Sequence, residues 1–93
     1  MTMTNHLYEQ AVEKWGLPLQ YGMLMEECAE LIKATNKVQR MPSQKNYSQL
    51  AEEMADVLIM IGQIQHILHL KGQVAACKEQ KIIRLQELIE GLT

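Results

Sequence analysis

Met25-Glu26-Glu27-Cys28-Ala29-Glu30-Leu31 and Glu52-Glu53-Met54-Ala55-Asp56-Val57-Leu58 are the two stretches on which the reading of this chain turns. Each sets carboxylates into a run that otherwise repeats apolar residues at threes and fours, the period of a helix with one buried side. Glu27 and Glu30 are three apart, as are Glu53 and Asp56, so each pair lies on one side of its helix. Like charges stacked in this way repel unless a cation or a proton sits between them. Two such pairs, brought together, would suit a hard divalent cation.

Outward from the first stretch, Leu24, Leu31, Ile32, Thr35 and Val38 carry the helical period from Pro18 or Leu19 to Val38 or Gln39. Arg40-Met41-Pro42-Ser43 then breaks it, with Lys37 and Arg40 suited to the negative end of the helix. Around the second stretch, Leu50, Met54, Val57, Leu58, Ile61, Ile64, Ile67 and Leu68 predict a helix from about Asn46, read as its cap, to about Leu70. From Val57 to Ile64 it is apolar on almost every side, and Gly62 leaves room for a neighbouring helix; this predicts a central, buried element.

Residues 4–15 form a shorter amphipathic helix closed by Gly16-Leu17-Pro18, with Tyr8, Ala11, Val12 and Trp15 in one stripe. Trp15 reads first as a core anchor and second as the wall of a base-binding pocket. After Gly72, Val74, Cys77, Ile82, Leu85 and Ile89 predict a last helix from about Gln73 to Glu90, ended by Gly91. The expected fold is therefore all-α: a single domain over residues 1–93, a four-helix chain with a central antiparallel acidic hairpin.

Composition narrows the function. A chain of 93 residues is one small domain, yet 47% of it is hydrophobic, more than its own core needs. That surplus predicts a partner subunit, giving a homodimer or homotetramer of helical bundles. A net charge of −2 lacks the basic footprint of a protein that binds polymeric nucleic acid. The Met1–Asn5 start is polar and no apolar run reaches about 18 residues, so a cytoplasmic protein without membrane segments is expected. Cys28 and Cys77 have no metal-ligand or redox spacing and read as small buried thiols.

Counting places the acids. With a turn between Val38 and Asn46, Glu30 falls opposite Glu53 and Glu27 opposite Asp56, all roughly 11–16 Å from the turn. Either cluster alone reads as a solvated helix face, but two clusters at one height favour a site. An all-carboxylate set, with no His or Cys at ligand spacing, argues for Mg²⁺, with Mn²⁺ able to substitute, over zinc. Glu26 and Glu52 lie about 100° round from their neighbours, available to support the site or simply wet.

Glu27-x-x-Glu30 followed by Glu53-x-x-Asp56, within Glu26-Glu27-x-x-Glu30 and Glu53-Met54-Ala55-Asp56-Val57-Leu58, resembles the signature of the MazG-like all-α nucleoside triphosphate pyrophosphohydrolases. Lys14-Trp15-Gly16 before a helix is also similar, and the resemblance spans about residues 15–70. It implies magnesium held by Glu27, Glu30, Glu53 and Asp56. It implies hydrolysis between the α- and β-phosphates, giving a nucleoside monophosphate and pyrophosphate. Glu26, Glu27 or Glu30 would take the proton of the attacking water.

The residues that hold phosphate and base do not carry over from the resemblance. Physical candidates are Lys37 and Gln63, each seven residues beyond an acid on its own helix, with Trp15 at the base. Lys78, Lys81 and Arg84 form a short basic stripe on the last helix, able to meet a triphosphate across a subunit boundary. Its competing reading is a solvated face paired with Glu79 and Glu87, and Lys33 is similar. His66 and His69 read as surface or interface residues. The rival from another class is a non-catalytic helical interaction protein with an acidic patch. A ferritin-like di-metal centre would want Glu-x-x-His, which is lacking.

Overall fold

The computed structural model describes residues 2–91. They form four helices, α1 (Met3–Trp15), α2 (Leu17–Arg40), α3 (Gln44–Ile67) and α4 (Lys71–Ile89), with no strand among the described residues. None of these helices is long and apolar enough to cross a membrane.

Local chemistry sets each boundary. The Thr2 hydroxyl accepts the Asn5 N–H at 3.1 Å and starts α1. Gly16, at φ 82° and ψ 152°, closes α1 and opens α2 in a conformation that residues with a Cβ avoid. Pro18 then falls in the first turn of α2, where its missing N–H costs nothing. The Ser43 hydroxyl, rather than Asn46, caps α3 by accepting the Asn46 N–H at 3.1 Å. Asn46 itself is buried inside the first turn, and its Nδ2 donates to the Met41 carbonyl at 2.8 Å, clamping the α2–α3 connection. At the far end the chain turns at His69 (φ 57°), not at Gly72, which lies inside α4.

α2 and α3 share the most extensive contact, α1 leans on both, and α4 touches α3 alone. Gln20, Glu27 and Ala34 stand at seven-residue steps on α2, as do Asn46, Glu53 and Met60 on α3. Such steps return to nearly the same side of a helix. Ala34, Val57 and Met60 form the buried apolar core, and Gln20 and Gln63 are buried with them. Gly62 receives Tyr8 of α1: a Cβ built there would stand 2.9 Å from the Tyr8 hydroxyl.

Two parts of the expected architecture are corrected. The helices do not close into a bundle. The radius of gyration is 16.3 Å, against roughly 12 Å for a compact domain of this length, and α4 contributes no buried residue. Leu58 and Ile59, expected inside, are 67% and 51% exposed, because α4 covers too little of α3.

Nor is there a central antiparallel acidic hairpin of two matched pairs. Three carboxylates converge, and Glu30 is exposed and outside the group. A three-residue step turns a helix by about 300°, which sets Glu30 some 60° off the line of Gln20, Glu27 and Ala34.

Candidate metal centre

Glu27 from α2 and Glu53 and Asp56 from α3 each bring a carboxylate oxygen within 4.8 Å of the other two. Glu27 and Glu53 are half-buried, and Asp56 is exposed. Partial burial, then the charges of Asp56 and Glu53, a hydrogen bond with Asp56 and the charge of Glu26 push the Glu27 carboxyl above its ordinary range. Burial, followed by the charges of Asp56, Glu30 and Glu52, does the same to Glu53. Every acid of the two sequence clusters thus acts on one small volume, though three alone close around it.

The donor set fits a hard cation. Octahedral Mg²⁺ sets opposite oxygens about 4.2 Å apart, so these carboxylates need only small side-chain rotations to share one. A cation would relieve the repulsion that a proton otherwise has to relieve.

The other candidates are dispersed. Trp15 ends α1 at 54% exposure, with the Lys14 ammonium 5.2 Å from its ring centre, and is not a core anchor. Lys37 is exposed on the last turns of α2, bordering cavities at the α2–α3 connection. Gln63 does not face the acids; it is buried and donates its amide N–H to Gln20 Oε1.

Lys78 and Lys81 border an apolar groove with Leu70, Val74, Ile82 and Leu85, and Arg84 is exposed on the same helix. Among the described residues nothing brings them to the acids, since α4 contacts only α3 and does so weakly. Cys28 is half-buried and Cys77 exposed, both as free thiols. His66 Nε2 stands 3.2 Å from Glu9 Oε1, joining α3 to α1.

Sequence reasoning passed over Gln20, whose signal was its place seven residues before Glu27, mirroring Gln63 seven after Asp56. It also gives Arg40 no role beyond the helix end and Lys45 none.

The model of the MazG nucleotide pyrophosphohydrolase domain matches residues 20–92, most of the chain. The chain belongs to this family. The matched span holds all three converging carboxylates, while α1 and Trp15 precede it. MazG membership supports hydrolase activity of that general class. No curated protein and no solved structure matches the chain.

Proposed function

We propose that this MazG-family chain hydrolyses nucleoside or deoxynucleoside triphosphates to the monophosphate and pyrophosphate at the acidic site between α2 and α3. The observation that carries the reading is the convergence of Glu27, Glu53 and Asp56, with two of the three carboxyls raised by partial burial and mutual repulsion. Glu27, Glu53 and Asp56 would hold Mg²⁺, or Mn²⁺ in its place, with Glu30, whose charge acts on Glu53, beside them. When bound, the ion supplies charge neutralisation, polarisation of a phosphate oxygen and a lowered pKa for water.

The protein's own part is orientation and proton transfer. Glu30 and Glu26 are exposed beside the converging three, so either can take the proton of a water attacking the α-phosphate in line. Trp15, exposed at the end of α1, offers a flat face for a base.

A homodimer or homotetramer is part of this reading. Leu58 and Ile59 on α3 and Ile82 and Leu85 on α4 are more than half exposed, an apolar surface that a second copy would cover. Lys78, Lys81 and Arg84 would reach the phosphates only from that second copy. The setting is the cytoplasm, where triphosphates are available.

The test is pyrophosphate release from a panel of ribo- and deoxyribonucleoside triphosphates, with Mg²⁺, with EDTA and with Glu53→Gln. Metal-dependent release that disappears in the variant is expected. No release from any member of the panel by folded protein would point instead to a helical interaction protein.

A further inference from the structure

α4 carries an apolar groove that its own chain leaves open. Leu70, Val74, Ile82 and Leu85 line a volume of about 630 Å³, with Lys78 and Lys81 on its border. Ile82 and Leu85 are more than half exposed, and α4 contributes no buried residue. A lone helix of this length is marginal in water, because most helical stability comes from packing an apolar face. The turn before α4 does not bring that face home. His69 at φ 57°, and the Leu70 N–H donated to the Gln65 carbonyl at 2.8 Å, fix α4 where it touches α3 only weakly.

Charge decides what the groove can take. At about 100° per residue, Lys71, Lys78 and Arg84 fall within about 80° of a mid-line through Lys81, whereas Glu79, Glu87 and Glu90 lie about 120° or more away from it. None of these cations is ion-paired among the described residues, where the pair formed is Glu9–His66. Two copies of α4 laid groove to groove would set cation against cation. The occupant therefore has to be apolar with carboxylates at its edge.

The same chain presents such a surface on α3. Met54 is half exposed, and Leu58 and Ile59 more than half. Glu52 lies about 20° round from Ile59, two turns earlier on the helix, and is exposed. α1 occupies the far end of this side of α3, where Tyr8 packs on Gly62 and Glu9 meets His66. The end toward Met54 is uncovered. The lengths agree as well: Leu70 to Leu85 spans about 22 Å, and Tyr47 to Ile61 about 21 Å.

We infer that the groove of α4 seats on the Met54–Ile59 face of α3 in a second copy of this chain, with Lys78 and Lys81 against Glu52 of the partner subunit, and that the exchange is reciprocal. Reciprocity follows from area. A helix about 28 Å long and 10 Å wide buries on the order of 500–600 Å² counted over both partners. A lasting interface needs about 1,000 Å² or more. One such contact falls short, and two related by a twofold axis reach it. The arrangement specifies the homo-oligomer of the proposed reading and is tested without substrate.

The experiment is sedimentation equilibrium of the full chain for the parent, Leu58→Gln, Glu52→Lys, Lys81→Glu, and Glu52→Lys combined with Lys81→Glu. All three positions are exposed in the single chain, so its own packing is not at stake. The expected result is a parent that assembles, with a dissociation constant about tenfold or more higher in Leu58→Gln and in each single charge reversal. The paired reversal should return toward the parent value, because it restores opposite charges across the contact.

A folded parent that stays monomeric, unchanged assembly in Leu58→Gln, or a paired reversal no better than its single reversals would each overturn the docking. Assembly tightened by Lys81→Glu alone would also overturn it, in favour of α4 pairing with α4. Pyrophosphate release by a monomeric parent would sink the docking and spare the hydrolase. The expected reversal pattern, with no triphosphate turned over by the parent, would do the opposite.

Discussion

The α2–α3 contact holds two polar clusters of opposite character. Gln20 and Gln63 are 2% and 5% exposed, uncharged, and joined by an amide hydrogen bond. Glu27, Glu53 and Asp56 lie two helical turns away on the same helices, partly open to solvent, charged alike and mutually repelling. The amides meet inside the chain through one hydrogen bond, which fixes packing and register, while Gln20 Nε2 stays buried without a partner among the described residues. The acids find only one another, so their partner has to come from outside. The difference is that the amides gain a hydrogen bond from within the chain, whereas the acids gather like charge.

The comparison breaks first at the acids. Glu53→Gln keeps the shape and removes the charge, and triphosphate turnover should fall by about a hundredfold or more, with little loss of folding stability. At the amide pair the outcome should be reversed. Gln63→Leu takes away the hydrogen-bond partner of a buried amide and should cost about 1–3 kcal/mol of stability. The Gln20→Leu, Gln63→Leu double variant should recover part of that loss, since no partner is then left unpaired. Chemical denaturation of the three proteins checks this. A Gln63→Leu that loses turnover at unchanged stability would erase the distinction.

The smallest expected effect is the pH dependence of the cation-free protein. The folded Glu27 and Glu53 carboxyls titrate above their ordinary value of 4.5. Between that value and the raised one the folded chain holds more protons than the unfolded chain, so stability declines as pH rises through the window. Melting temperature in EDTA should therefore drop from the acidic side of that window to neutral pH. Mg²⁺ should restore it chiefly at neutral pH, where the carboxylates are ionised. A flat profile in EDTA would mean that the repulsion is relieved by solvent.

Much of this was legible in the residues. Four helices follow from the apolar period and from the breakers Gly16 and Pro42. That acids of both stretches meet follows from their matched distance from the connection; which of them meet does not.

What was misread has identifiable causes. Ser43 and Asn46 both suit a helix cap, and the outcome was settled by burial of Asn46 against Met41, a tertiary contact. His69 adopts the left-handed conformation expected of a glycine, because Leu70 bonds back to Gln65 at 2.8 Å and holds the turn. Glu27 with Glu30 and Glu53 with Asp56 share one spacing, yet the structure brings in Asp56 and leaves Glu30 outside, so the spacing alone does not decide which acids meet. A core that took in Trp15 and the whole apolar run of α3 would be too large for 93 residues to build, and the exposure of Trp15, Leu58 and Ile59 follows from that size.

The most direct test of the acidic site is Mn²⁺ titration followed by electron paramagnetic resonance on the metal-stripped parent, Glu53→Gln and the Gln20→Leu, Gln63→Leu double variant. Saturable binding by the parent, lost in Glu53→Gln and kept in the amide variant, is the predicted result. Equal Mn²⁺ binding by the parent and Glu53→Gln, or none by either folded protein, would contradict the assignment of Glu27, Glu53 and Asp56 as a cation site.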